Sequence, residues 1–192
     1  MAVVCAAVFA AGATGLYQYT PEELTGPEQP IAFNHQIHAG AITPGSPGAQ
    51  GNLGIPCLYC HGPAERGWNA TVPAVSVCMG CHQYVKQGRT PGSEQEIAKI
   101  KDYYDRRESI PWVRIHHLPD YVQFKHMRHV QAGVACQECH GPIQDLKRVY
   151  LVPQTRFTKR SFFLPTAKLE MGWCMECHLQ RGATDDCVAC HY

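Results

Sequence analysis

No charged side chain occurs in residues 1–21, and over all 192 residues the acidic and basic side chains nearly cancel, leaving a net charge of +1 with neutral histidine. So even a balance offers no basic patch for a nucleic acid. No basic stretch precedes the apolar N-terminal segment, as it would in a secretory signal. No βαβ pattern flanks any C-x-x-C, which removes a thioredoxin-like redox unit. Helical periodicity is sparse, while prolines number 14 and glycines 17, so a loop-rich chain with short helices is expected. Cysteine is nearly missing outside one motif, since ten of the eleven fall inside it.

That motif is C-x-x-C-H, and it occurs five times. The copies are Cys57/Cys60/His61, Cys78/Cys81/His82, Cys136/Cys139/His140, Cys174/Cys177/His178 and Cys187/Cys190/His191. It is the attachment signature of c-type haem: two thiols add across the vinyl groups and the adjacent histidine reaches the iron from one side. Zinc ribbons pair C-x-x-C units two by two, whereas five is odd and a histidine follows every pair. The spacing is too uniform for a disulfide framework. Five covalently bound haem c groups leave about 38 residues each, too few for a conventional core around every porphyrin. The fold expected is a multihaem cytochrome c, with short α-helices and loops wrapped around five stacked haems that form the interior. Each haem adds two propionates and, when ferric, one net positive charge, so five take the chain from +1 to about −4. Covalent attachment places the haem domain outside the cytoplasm.

Residues 33–38 and 124–129 both read F-x-H-x-x-H, and each leads to C-x-x-C-H. This is an internal repeat. Each copy then leads to another attachment motif, at Cys78 and at Cys174, and the last haem at Cys187 is an addition. The first copy carries a Gly/Pro-rich insert at residues 39–56. Histidines at i and i+3 share a helical face yet diverge enough to reach two irons. His35, His38, His126 and His129 are therefore four candidate distal ligands, opposite the proximal His61, His82, His140, His178 and His191. The fifth distal ligand is open among His116, His117 and a methionine, Met171 first; supply favours His116. Methionine opposite histidine raises a haem's potential. Phe33 and Phe124 are expected to pack on porphyrin faces.

The organisation expected is an N-terminal transmembrane anchor at 1–19, a Pro-rich linker at 20–32, a first di-haem module at 33–92, a helical spacer at 93–110 and a second module with three haems at 111–192. The anchor is short for a membrane helix, which suggests that the helix continues upstream of Met1. Ala7, Ala11 and Gly15 make a small-residue stripe suited to a neighbouring membrane helix. Tyr17 and Tyr19 would meet the water interface. Cys5, outside the motifs and without a lipobox, reads as a small residue in that helix. Ser93 and Glu96 form a capping-box pattern for a helix over 93–107 with Ile97, Ile100 and Tyr104 on one face and Pro111 as the stop. An extended segment follows it, and Val149, Leu151 and Val152 suggest a short strand.

Residues 33–40 (F-N-H-Q-I-H-A-G), 111–126 (P-W-V-R-I-H-H-L-P-D-Y-V-Q-F-K-H), 136–142 (C-Q-E-C-H-G-P) and 171–178 (M-G-W-C-M-E-C-H) resemble the pentahaem cytochrome c subunit of bacterial alternative complex III. The likeness runs from about Ile31 to the end. The F-x-H-x-x-H plus C-x-x-C-H unit alone is shared with class III cytochromes of the c3 and c7 type. The resemblance implies a bacterial inner (cytoplasmic) membrane location with the haem domain on the periplasmic side. It implies quinol-oxidising integral membrane subunits, an iron–sulfur protein that delivers electrons, and a monohaem cytochrome c, soluble carrier or oxidase that receives them. It also implies one His/Met haem, which strengthens Met171, and a non-ligand role for His117. Two other functions remain open from the residues. A stand-alone, membrane-anchored quinol dehydrogenase would need a quinone pocket, and a catalytic multihaem reductase would need an iron with a vacant face.

Overall fold

The computed structural model describes residues 26–42, 51–150, 155–156, 166–167 and 170–192. The expected anchor at 1–19, with Cys5, and residues 20–25 of the linker lie outside these residues. Among the described residues no helix is long and apolar enough to cross a membrane.

The elements are short helices joined by loops. In chain order they are α1 (His35–Ala39), α2 (Cys57–Cys60), α3 (Pro63–Arg66), α4 (Val75–His82), α5 (Ser93–Asp105), α6 (His126–Gln131), α7 (Cys136–His140), a 3-10 turn (Ile143–Asp145), β1 (Thr155–Arg156), β2 (Thr166–Ala167), α8 (Met171–Arg181) and α9 (Cys187–Cys190). All five attachment motifs fall on helices or run off their ends. The reason is spacing: cysteines at i and i+3 and a histidine at i+4 converge on one helical face. β1 and β2 pair antiparallel, Thr155 opposite Ala167. The expected strand is not found at Val149, which is irregular; Leu151 and Val152 lie outside the described residues.

The long helix α5 departs from its expected ends. Its N-cap is Gly92, at φ +79°, and Ser93 does not cap it. Ser93 Oγ instead accepts from Gly88 N at 2.9 Å, and Glu96 reaches away from the helix start to accept from Ala32 N at 2.7 Å. The capping box fails because both side chains have tertiary partners. The helix stops at Asp105, well before Pro111. Glu108 N donates to Tyr103 O and Arg107 N to Tyr104 O, each at 3.0 Å, with Arg107 left-handed at φ +57°. That is a Schellman stop with arginine in the position glycine usually takes.

Ile97 and Ile100 face inward as expected, but Tyr104 is half exposed and Tyr103 takes its place. Ile31, Met79, Ile100 and Ile110 form one cluster, with Val75, Cys78, Tyr103 and Trp112 packed around it. Thus α5 lies against α4, the helix that carries the second attachment motif. Among the other described apolar side chains, Ala64, Ile97 and Trp173 are also buried. Leu58, Tyr59, Trp68 and Val188, all close to attachment cysteines, are left exposed. Apolar side chains beside these cysteines are where an attached planar group would find cover.

The two repeats are packed crosswise. The N–H groups of His126 and Met127 on α6 donate to the carbonyls of Trp68 and Gly67, both at 3.0 Å. Gln131 Nε2 donates to Glu65 O at 3.1 Å, and Lys125 Nζ lies 4.4 Å above the Trp68 ring. Reciprocally, Gln36 N on α1 donates to Leu146 O at 3.0 Å. Each H-x-x-H helix therefore rests on the turn that follows the other repeat's first attachment motif. Both turns begin His-Gly-Pro, at 61–63 and 140–142.

Candidate haem centres

Phe33 stacks on His38 at 4.5 Å and meets His35 edge-on at 4.8 Å. Phe124 does the same to His129 and His126, at 4.5 and 4.8 Å. The phenylalanines expected on porphyrin faces thus pack against their own imidazoles, where they limit ring rotation. The two H-x-x-H units are geometrically the same object.

Backbone carbonyls set the tautomer of most of these rings. A carbonyl can only accept, so a ring nitrogen beside one carries the hydrogen. Nδ1 donates to Asn34 O in His38 (2.8 Å), Thr71 O in His61 (2.7 Å), Val85 O in His82 (3.1 Å), Trp68 O in His126 (2.8 Å) and Lys125 O in His129 (3.1 Å). His178 Nδ1 donates to Thr184 O, and His191 Nδ1 to Tyr121 O at a longer 3.4 Å. Every one of these rings keeps Nε2 as a bare lone pair, the form that binds a metal. His117 is the reverse: its Nε2 donates to Arg114 O at 3.2 Å, in line with a spare residue. His35 Nδ1 is buried without a partner.

The rings then pair. A metal–imidazole bond is about 2 Å and the ring centroid lies about 1 Å beyond the nitrogen, so two imidazoles on opposite sides of one ion have centroids about 6 Å apart. His38 and His82 are 6.2 Å apart, His126 and His140 6.4 Å, and His129 and His178 6.0 Å. His35 lies close enough to His61 to feel its charge, which is the fourth pair by the logic of the repeat. Among the described residues no cluster of three or more His, Cys, Asp or Glu side chains is placed to hold a bare ion. Paired imidazoles beside paired thiols leave the equatorial plane to a planar group that brings its own four donors. Haem c fits this donor set.

The ten attachment cysteines do not share one setting. Cys57, Cys60, Cys78, Cys136, Cys139, Cys174, Cys177 and Cys190 are half-buried, whereas Cys81 and Cys187 are exposed. On α4 the contrast falls within one motif: Cys78 packs against the Ile100 cluster, and Cys81, one turn on, stands in the open. Cys81 still lies near enough to Cys60 to act on its thiol, and Cys177 does the same to Cys174. Cys139 sits on α7 directly before His140. Cys81, Cys139 and Cys177 enter no group able to hold a bare ion, so any metal role for them runs through thioether bonds to a haem, as their motifs require.

Burial favours the neutral form of three distal rings, His35, His38 and His129. Desolvation first, then His61 and His38, push the His35 imidazole down to about 4. Burial also lowers His38 and His129, against the raising effect of their carbonyl hydrogen bonds. Burial raises the Cys60, Cys78, Cys136 and Cys174 thiols. Thiols of other motifs add to this: Cys81 acts on Cys60, Cys60 on Cys78, Cys57 on Cys136 with a hydrogen bond, and Cys190 on Cys174.

The last motif is held differently. Val122 and His191 form an antiparallel bridge, and Gln123 N donates to Cys190 O at 2.8 Å. His116 meets His140 edge-on at 4.5 Å, and His140 already faces His126. Met171 opens α8 and is 61% exposed. It lies three residues before Cys174 and seven before His178, on the same helical stripe. Sequence reasoning missed the orienting carbonyls and the crosswise packing. The repeated His-Gly-Pro was the one available sign of the latter.

Residues 122–192 match the family model for cytochrome c7 and related cytochrome c. The matched stretch holds three of the five attachment motifs and the second H-x-x-H. No curated protein matches the chain significantly.

Proposed function

For a multihaem c-type cytochrome of this kind, we propose that the chain is the pentahaem electron-transfer subunit of a quinol-oxidising complex. It works at the extracytoplasmic face of a bacterial cytoplasmic membrane. Electrons come from an iron–sulfur partner fed by integral membrane subunits and leave towards a monohaem cytochrome, a soluble carrier or an oxidase. Each haem supplies a one-electron Fe(III)/Fe(II) couple.

The observation that carries this reading is the spacing of the imidazoles. Distal rings from both H-x-x-H helices stand about 6 Å from proximal rings at three sites, a spacing that supports closure of both faces of an iron held there. The protein's part would be to aim Nε2 at the iron, at seven rings by fixing Nδ1 on a carbonyl, and to exclude water by burial. A catalytic reductase would need one face free. For the fifth site, His117 is turned to Arg114 O and His116 is set against His140. That favours Met171 opposite His191.

Carbon monoxide tests the reading directly. The reduced holoprotein is expected to bind none at neutral pH, and ready binding would argue for an enzyme. Purification in mild detergent tests the context: an iron–sulfur protein and quinol-oxidising subunits should accompany the cytochrome. A lone cytochrome with quinol activity would favour the stand-alone dehydrogenase.

A further inference from the structure

The five attachment sites occur along the chain in the order Cys57, Cys78, Cys136, Cys174 and Cys187, but their packing follows another order. We infer that in space they form one unbranched file running Cys78–His82, Cys57–His61, Cys136–His140, Cys174–His178, Cys187–His191, with the first two exchanged relative to the sequence. This deepens the conduit reading and rests on it only for the meaning of the two ends.

Each link has its own geometric basis. The first is α1, a single turn of helix whose His38 faces His82 and whose His35 lies against His61. Ligands three residues apart on one helix hold their two sites side by side. The third link is the equivalent turn in the other repeat, where His126 faces His140 and His129 faces His178. The second link is the crosswise packing. His126 takes its N–H and Nδ1 partners from Trp68, on the turn that follows the Cys57 site. Gln36 takes its partner from Leu146, on the turn that follows the Cys136 site. The Cys57 and Cys136 thiols meet in a hydrogen bond. The related sites of the two repeats therefore touch at the centre, and Cys78 and Cys174 are pushed to the outside. The fourth link joins Cys174 to Cys190 as close neighbours, with the last site pinned on residues 121–123 just before α6.

The two ends are then Cys78–His82 and Cys187–His191. Both carry an exposed aromatic side chain: Tyr84 is 79% exposed at one and Tyr192 83% at the other. The two exposed attachment cysteines, Cys81 and Cys187, fall at these same ends. The interior sites have neighbours on two sides.

The test is the position of the five irons in the wild-type holoprotein, located by anomalous scattering and matched to the motifs in the traced chain. The expected result is a file in which the Cys57 and Cys136 irons are adjacent and central. An arrangement in which the Cys78 iron neighbours the Cys136 iron, or in which the Cys57 iron is terminal, overturns the order. A second readout uses the four-haem holoprotein Cys136→Ala/Cys139→Ala, its haem count checked by mass spectrometry. After photoreduction from a label at Tyr84→Cys, rapid spread to the Cys174 and Cys187 sites should be lost. Undiminished spread would show a bypass and defeat the unbranched file. Carbon monoxide binding would sink the conduit reading while leaving the iron positions as they are, so the two failures are separable.

Discussion

At each imidazole the decisive atom is the one that does not touch iron. Fixing Nδ1 on a carbonyl, as at seven of the rings, selects the neutral tautomer and aims Nε2, and at His35, His38 and His129 burial lowers the affinity for a competing proton. His35 is pushed down to about 4, by burial first. An imidazole with a lowered pKa stays neutral from its ordinary value near 6.5 down to the lowered one, and only below that can a proton displace it. The ferric haem that His35 closes should therefore keep this ligand, and stay low-spin, as the pH falls from 7 to about 4.5, losing it only below about 4. A high-spin fraction growing at that haem between pH 6.5 and about 5 in an absorption titration would contradict this. Met171 provides a second residue-scale test. If its thioether faces His191, Met171→Leu should lower the highest midpoint potential by on the order of 0.1 V, since axial ligands tune haem potentials over about 0.8 V. It should also make one reduced iron bind carbon monoxide. An unchanged highest potential in spectropotentiometry would exclude Met171. The ten candidate attachment cysteines and five candidate proximal histidines are picked out in the sequence because their motif is local. Their settings are not: nothing in C-x-x-C-H tells that Cys81 is exposed while Cys139 and Cys177 are half-buried. The carbonyls of Trp68, Thr71 and Tyr121 were equally hidden, because a backbone acceptor carries no residue-type signal.

Elements in this chain are set more by tertiary partners than by local propensity, and α5 shows it at both ends. Its existence and inward-facing isoleucines were legible from the spacing of Ile97 and Ile100. Its ends were not, because Ser93 and Glu96 were drawn to Gly88 and Ala32, and because the stop falls on an arginine. Arg107 sits at φ +57°, where a β-carbon costs about 1 kcal/mol. Arg107→Gly should stabilise the holoprotein, by up to about 1 kcal/mol once the added freedom of the unfolded chain is set against the relieved strain. A raised denaturant midpoint with unchanged haem spectra is the expected result, and a lowered midpoint would show that the arginine side chain contributes more than its backbone costs. Ile100, 7% exposed in the cluster around α4, makes the opposite test. Ile100→Ala should cost about 2–4 kcal/mol and leave all the haems attached, because the cluster supports α4 without touching a ligand pair.

Taken whole, the molecule inverts the usual relation between core and cofactor. The sequence shows two repeats but not that they interlock, since F-x-H-x-x-H and C-x-x-C-H specify local units and say nothing about which repeat supplies the surface beneath them. In the structure α6 lies on residues 65–68 and α1 on Leu146, so neither repeat completes its surroundings without the other. Even interlocked, the described residues bury only Ile31, Ala64, Met79, Ile97, Ile100, Ile110 and Trp173 among apolar side chains, and no large side chain is fully enclosed. Ordering a backbone residue costs about 1–2 kcal/mol, and so small a set of buried side chains cannot offset that over the helices and loops seen here. On the haem reading the attached groups would add apolar burial, their flat faces covering side chains such as Leu58 and Tyr59 next to Cys57 and Cys60. The chain made without haem attachment should therefore show weak helical circular dichroism and no cooperative thermal transition, while the holoprotein melts cooperatively. A cooperative calorimetric transition in the haem-free chain would mean that the protein carries its own core and that the haems are passengers on a finished fold.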